Sequence, residues 1–293
     1  MWTWDNAKQA GFVALAILVA ALLWVGFGQI RGLDRRQAAV EKELKTLTVS
    51  ITQSVDRTTA IRAEILRLGS DLRVHGHATT RLAMIGSHAS QAARGGGVML
   101  FGDSIMEGWY VYEVCGIQAV NAGVGGAGVA FFASNAPALL GAGGPAIVVL
   151  ALGINDVMRV KASRAGDEDV DRWLADYREI LAHVRTSRGV PVILAILPTG
   201  EDRPLGGSRF ELRMLRKFNE RLRGLADSEG VIFIDSYRSL ANAKGYMRPE
   251  FTTDGVHLTT SGYHQFGREI DRGVSAAAKV IGKDVSFCAP RGR

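Results

Sequence analysis

The sequence predicts a doubly wound, three-layer α/β/α domain with a five-stranded parallel sheet, preceded by a transmembrane helix and a coiled-coil stalk. Three observations predict it. A 21-residue segment near the amino terminus carries no charge. A 4-3 apolar repeat follows it. From Val98 onward, short runs rich in Val, Ile and Leu alternate with longer helical patterns. Runs of that kind lack the polar alternation of a half-exposed strand, so they read as strands covered on both faces, and strand-helix alternation reads as a parallel sheet.

Residues 1–9 form a short tail. Ala10 to Ile30, "AGFVALAILVAALLWVGFGQI", then reaches the roughly 20 apolar residues that a helix needs to cross a bilayer. It is longer than the apolar core of a secretory leader and runs straight into charged sequence, so an uncleaved anchor is expected. Lys8 precedes the span, and Arg31, Arg35 and Arg36 follow it. That bias alone would place the carboxyl side in the cytoplasm.

Over residues 33–73 one apolar row is Leu33, Val40, Leu47, Ser54, Ile61 and Leu68. The other is Gln37, Leu44, Ile51, Thr58, Ile65 and Leu72. The spacing never slips and no proline interrupts it, which predicts a coiled coil and hence a homo-oligomer, the plainer alternative being one amphipathic helix folded back on the catalytic domain. A helix of this length would reach about 60 Å. Residues 74–97 are small and polar, contain His75, His77 and His88, and end in Gly95-Gly96-Gly97. They read as a linker, or a poorly defined helix, and then a hinge, with solvated histidines rather than a metal site, because no carboxylate or cysteine joins them at ligand spacing.

The expected strands are Val98–Phe101, Ala119–Asn121, Ile147–Leu152, Val190–Ile196 and Val231–Ile234. Helices are expected near 129–140, 168–188, 208–228 and after Thr260, and the domain closes near residue 281, leaving a tail over 282–293. The net charge of +6 is scattered, and no basic helix or aromatic-basic stripe argues for nucleic acid. Cys115 and Cys288 are too few and too far apart for a metal site of the CxxC kind; they either pair in an oxidising compartment or stay as buried thiols.

In a doubly wound sheet the ligand site lies at the carboxyl ends of the strands. There the sequence places Gly102-Asp103-Ser104, "NAGVGGAG" (121–128), "LGIND" (152–156) and, after the last strand, "DGVHLTTSGYHQFG" (254–267). Each cluster alone has a plain reading: Ser104 as a helix cap, the glycines as a tight turn, Asn155 as a turn residue, Asp254 as a cap for the last helix. Together they supply what acyl transfer needs. Ser104 can attack, His257 can take its proton, and Asp254 can orient the imidazole. The N–H groups of Ser104 and Gly126 and the Asn155 amide can stabilise an oxyanion.

This set resembles the SGNH/GDSL hydrolase family. "FGDSIMEG" is similar to its nucleophile block, "NAGVGG" to its glycine block, "GIND" to its third block and "DGVHLTTSGY" to its last. The resemblance covers about Val98 to Ile281. It implies a flavodoxin-like strand order, Ser104, Asp254 and His257 as catalytic residues, Ser104, Gly126 and Asn155 as the oxyanion hole, and no cofactor or metal. Two departures stand out: the connection from Ser104 to Asn121 is short, and Met106 replaces a small or hydroxyl residue. Trp109, Tyr110 and Phe131 are candidates to line the pocket, with buried packing the plainer role for each.

The expected activity is hydrolysis of small O-acyl esters, acetyl above all, on an envelope carbohydrate outside the membrane. An acyltransferase on the same residues, a lipid or thioester hydrolase, and a non-catalytic oligomeric scaffold are the alternatives.

Overall fold

The computed structural model describes residues 33–92, 96–160, 167–201, 209–283 and 288. It divides into two compact units, Met1–Ser70 and Asp71–Arg293. The expected membrane span, 10–30, lies outside the described residues; no described helix is long and apolar enough to cross a membrane.

A single helix, α1 (Leu33–Ala92), runs through the heptad region and on through most of the expected linker. In the first unit its apolar residues Leu47, Val49, Ile51, Val55 and Ile61 are exposed. In the second unit Ile85 and Ala89 are buried and Ala78 and Leu82 pack against the same core. Of the two readings of 74–97, linker or poorly defined helix, the helix therefore holds over 74–92. Ala78, Leu82, Ile85 and Ala89 recur at 4-3-4 spacing, one face of a helix, and that face is covered by the domain.

Among the described residues six strands form the sheet: β1 (Val98–Gly102), β2 (Glu113–Val114), β3 (Ile117–Gly123), β4 (Ile147–Ala151), β5 (Val190–Leu194) and β6 (Ile232–Ile234), in the order β2-β3-β1-β4-β5-β6. Five run parallel, in the 2-1-3-4-5 order of a flavodoxin-like sheet. The expected five-stranded sheet gains an edge strand: β2 pairs antiparallel with β3. Two residues long, β2 turns back at Cys115-Gly116, both at positive φ, and is too short to leave a periodic signal.

The helices after β1 are α2 (Ser104–Glu107), α3 (Val129–Gly143), α4 (Ile154–Arg159), α5 (Asp167–Thr186), α6 (Arg209–Glu229), α7 (Ser236–Leu240) and α8 (Thr260–Val280). They cover both faces of the sheet. Val192 of β5 lies against Gly273 of α8, whereas Val148 of β4, which points the other way from Val149 beside Val192, neighbours Val184 of α5. Strands β1 and β4 are buried almost throughout, which explains their unbroken apolar sequence. A disulfide joins Cys115 to Cys288, tying the β2–β3 turn to the carboxyl-terminal segment.

The topology fixes where chemistry can happen. From β1 the chain goes to β3 on one side and then crosses to β4 on the other. The carboxyl ends of β1 and β4 flank this switch point, and Ser104 and Asn155 follow them directly.

Candidate active site

Ser104 opens α2, a single helical turn. Asp103 is its N-cap, with Oδ1 accepting from the Ile105 N–H at 2.9 Å. The Ser104 N–H is then a first-turn donor with no acceptor inside the helix. Asp103 itself is buried. Burial is the largest influence on its carboxyl and pushes it up to about 7, against the Ile105 hydrogen bond and the attraction of His257 and with the help of nearby Asp156.

The residues named at the far end of the sequence meet this serine. His257 Nε2 lies 2.9 Å from Ser104 Oγ, and His257 Nδ1 lies 2.6 Å from Asp254 Oδ2. Asp254 Oδ1 accepts from the backbone N–H of Val256 at 2.9 Å and of His257 at 2.8 Å. Partial burial is the largest single influence on Asp254 and opposes ionisation. The hydrogen bonds from the His257 ring and the two N–H groups outweigh it and hold the carboxyl at about 2. Asp254 thus stays ionised and fixes the imidazole edge-on. It does not cap the last helix: Thr259 does, accepting from the Gly262 N–H at 3.1 Å.

The glycine loop sits opposite. Gly126 has φ +76°, a left-handed conformation that glycine adopts freely. Its N–H donates no hydrogen bond among the described residues, and its carbonyl accepts from Arg159. Asn155 Nδ2 donates to the Ala127 carbonyl at 3.0 Å, which leaves the second N–H of that amide for another acceptor. Neighbouring Asp156 caps α3 through the Val129 N–H at 3.1 Å. Tyr177 holds the end of β4 by donating to the Leu152 carbonyl at 2.9 Å. All five sequence-predicted site residues therefore fall at one end of the sheet.

What the sequence did not reveal is how the loop is held. Asn121 donates to the carbonyls of Met106 and Trp109 at 2.6 and 2.7 Å, clamping α2 to β3. Glu107 Oε2 accepts from the Gly125 N–H at 2.5 Å and lies 3.0 Å from His77 Nε2. Arg81 Nη2 donates to the carbonyls of Gly123 and Asn121 at 2.8 and 3.2 Å, its Nε to Gly123 at 3.0 Å, and the same Nε is 3.4 Å from Glu107 Oε1. A Cβ on Gly123 would run into the Glu107 backbone, so only glycine lets α2 and β3 approach so closely. His77, expected as a solvated linker histidine, belongs to this brace. No spacing rule links Arg81 to Glu107 and Gly123; the fold alone brings them together.

Met106 is buried core. Trp109 is buried edge-on against Phe266, and Phe131 packs on Phe132. Tyr110 departs from the packing expectation, being 92% exposed. Among the described residues no group of three His, Cys, Asp or Glu side chains is placed to hold a metal ion.

The family model of GDSL-like lipases and acylhydrolases matches residues 100–265, more than half of the chain. The chain belongs to the GDSL-like lipase/acylhydrolase family. It is therefore an ester-bond hydrolase by family. No curated protein matches it. Solved structures share its fold at low identity. A GDSL-like lipase from Bacteroides thetaiotaomicron is 19% identical with a TM-score of 0.55, over 67% of this chain and 99% of that one. An acetylxylan esterase from Geobacillus stearothermophilus is 17% identical with a TM-score of 0.51, over 61% and 94%. The family match lies within the second unit and excludes α1.

Proposed function

We propose that this GDSL-family chain is a membrane-anchored serine esterase that removes small O-acyl groups, acetyl above all, from a carbohydrate of the cell envelope. The observation that carries the reading is the unbroken chain from Ser104 Oγ through His257 to Asp254, at 2.9 and 2.6 Å. In this reading His257 Nε2 accepts the Ser104 proton as Oγ attacks the acyl carbon, and ionised Asp254 steadies the imidazolium. The N–H groups of Ser104 and Gly126 and the Asn155 amide receive the oxyanion, one such donor being worth about 2.7–4 kcal/mol. The imidazolium protonates the leaving alcohol, and water, deprotonated by the same ring, releases the acid from Ser104.

The acetyl and carbohydrate assignments draw on the acetylxylan esterase among the structural neighbours. The Cys115–Cys288 disulfide supports an oxidising compartment and so a domain outside the cytoplasm, against the arginine bias after residue 30. Residues 10–30 would hold the chain in the membrane, and the exposed apolar row on α1 would pair with further copies.

The test is hydrolysis of p-nitrophenyl acetate by the full chain in detergent. Turnover that falls at least about 1,000-fold in Ser104→Ala supports the reading; turnover that survives the substitution excludes it. Alkaline phosphatase fused after Arg293 reads topology: an active reporter means export, and an inactive one moves the substrate to the cytosol.

A further inference from the structure

We infer that the groove between α1 and the segment Trp109–Tyr112 is a glycan-binding subsite that presents the carbohydrate to Ser104. The groove has a volume of about 390 Å³. Its floor includes Glu107 and Asn121, which also clamp the nucleophile turn and the glycine loop, so it begins one helical turn from Ser104.

The segment has a strict alternation. Trp109 and Val111 are 7% and 8% exposed, whereas Tyr110 and Tyr112 are 92% and 80% exposed. The chain thus spends two large aromatic rings on solvent, and both line the groove. Gln91 and His88 of α1 and Gln118 of β3, all exposed, line the same groove with amide and imidazole groups.

That combination selects the occupant. The C–H face of a pyranose ring packs on a flat aromatic face, and its equatorial hydroxyls need mixed donors and acceptors, which amides and an imidazole supply. The two fully charged side chains present, Arg81 and Glu107, lie 3.4 Å apart and already serve the glycine loop. The groove therefore offers no surplus cation for a phosphate or a lipid headgroup. Its α1 wall lies outside the segment matched by the family model, which ties this subsite to the architecture of this chain.

The inference rests on the glycan-esterase reading, but its test does not. Full-length Ser104→Ala protein in detergent is titrated calorimetrically with xylohexaose, cellohexaose and chitohexaose. Saturable binding to at least one is expected, with Tyr110→Ala/Tyr112→Ala weakening it about tenfold or more. Tyr112→Phe keeps the ring and keeps most of the affinity. Because both rings are exposed, the thermal midpoint should barely move. Absence of saturable binding to all three sugars, or binding indifferent to the paired substitution, overturns the subsite. The two readings fail separately: sugar binding without ester hydrolysis by the wild type sinks the esterase, and hydrolysis without sugar binding sinks the subsite.

Discussion

Within α1, residues 44–61 and residues 78–89 carry the same kind of side chain in different surroundings. In the first stretch Leu47, Val49, Ile51, Val55 and Ile61 are 45–60% exposed. In the second, Ile85 and Ala89 are fully buried against the hydrolase domain. An apolar row is stable only when something covers it. One helix thus has two characters: its later part is a wall of the catalytic unit, and its earlier part leaves its apolar side chains exposed.

The largest effect is expected from Ile85→Ala. Truncating a fully buried isoleucine should cost about 2–5 kcal/mol, seen as a lower thermal midpoint of the whole hydrolase domain. An unchanged midpoint would mean that α1 is not part of its core. Next is Arg81→Ala, which removes the bonds from α1 to the carbonyls of Asn121 and Gly123. Loosening the glycine loop, the proposed oxyanion donor, should lower kcat by about 10- to 100-fold with little change in KM. Arg81→Lys should not restore it, because an ammonium cannot reproduce the forked contact.

A smaller effect concerns pH. Asp103 holds its proton up to about 7 in the folded state but titrates near 4 when unfolded. The unfolded chain therefore binds fewer protons between those values, and Asp103 removes stability as pH rises from about 4 to about 7. Asp103→Asn keeps an acceptor for the Ile105 N–H and should flatten that decline in a series of thermal melts. Asp254 has the opposite sign: its contribution is present above about pH 4 and is lost as pH falls towards 2. The smallest expected effect on catalysis is from Leu47→Ser/Ile51→Ser/Ile61→Ser. It should leave kcat unchanged while lowering the mass of the detergent-solubilised assembly by light scattering. An unchanged mass would remove the coiled-coil proposal.

How much of this was legible follows from range. Apolar runs announced the five parallel strands because β1 and β4 are buried almost throughout and the others in part, and the blocks at 102–104, 121–128, 152–156 and 254–267 announced the site because chemistry constrains short sequences. Strand β2 was illegible because two residues have no period. The docking of 78–89 was written in the 4-3-4 spacing of Ala78, Leu82, Ile85 and Ala89, but small residues among glycines and histidines obscured it. The brace of His77, Arg81 and Glu107 left no trace at all, since it joins side chains 26–30 positions apart whose partners are mostly backbone atoms.

In the proposed reaction Ser104 carries the acyl group. Brief reaction of the full chain with p-nitrophenyl acetate, acid quenching and peptide mass spectrometry tests it most directly. One acetyl group is expected on the peptide containing Ser104, absent from Ser104→Ala and depleted in His257→Ala. An acetyl group found elsewhere, with Ser104→Ala still turning over the ester, would contradict it.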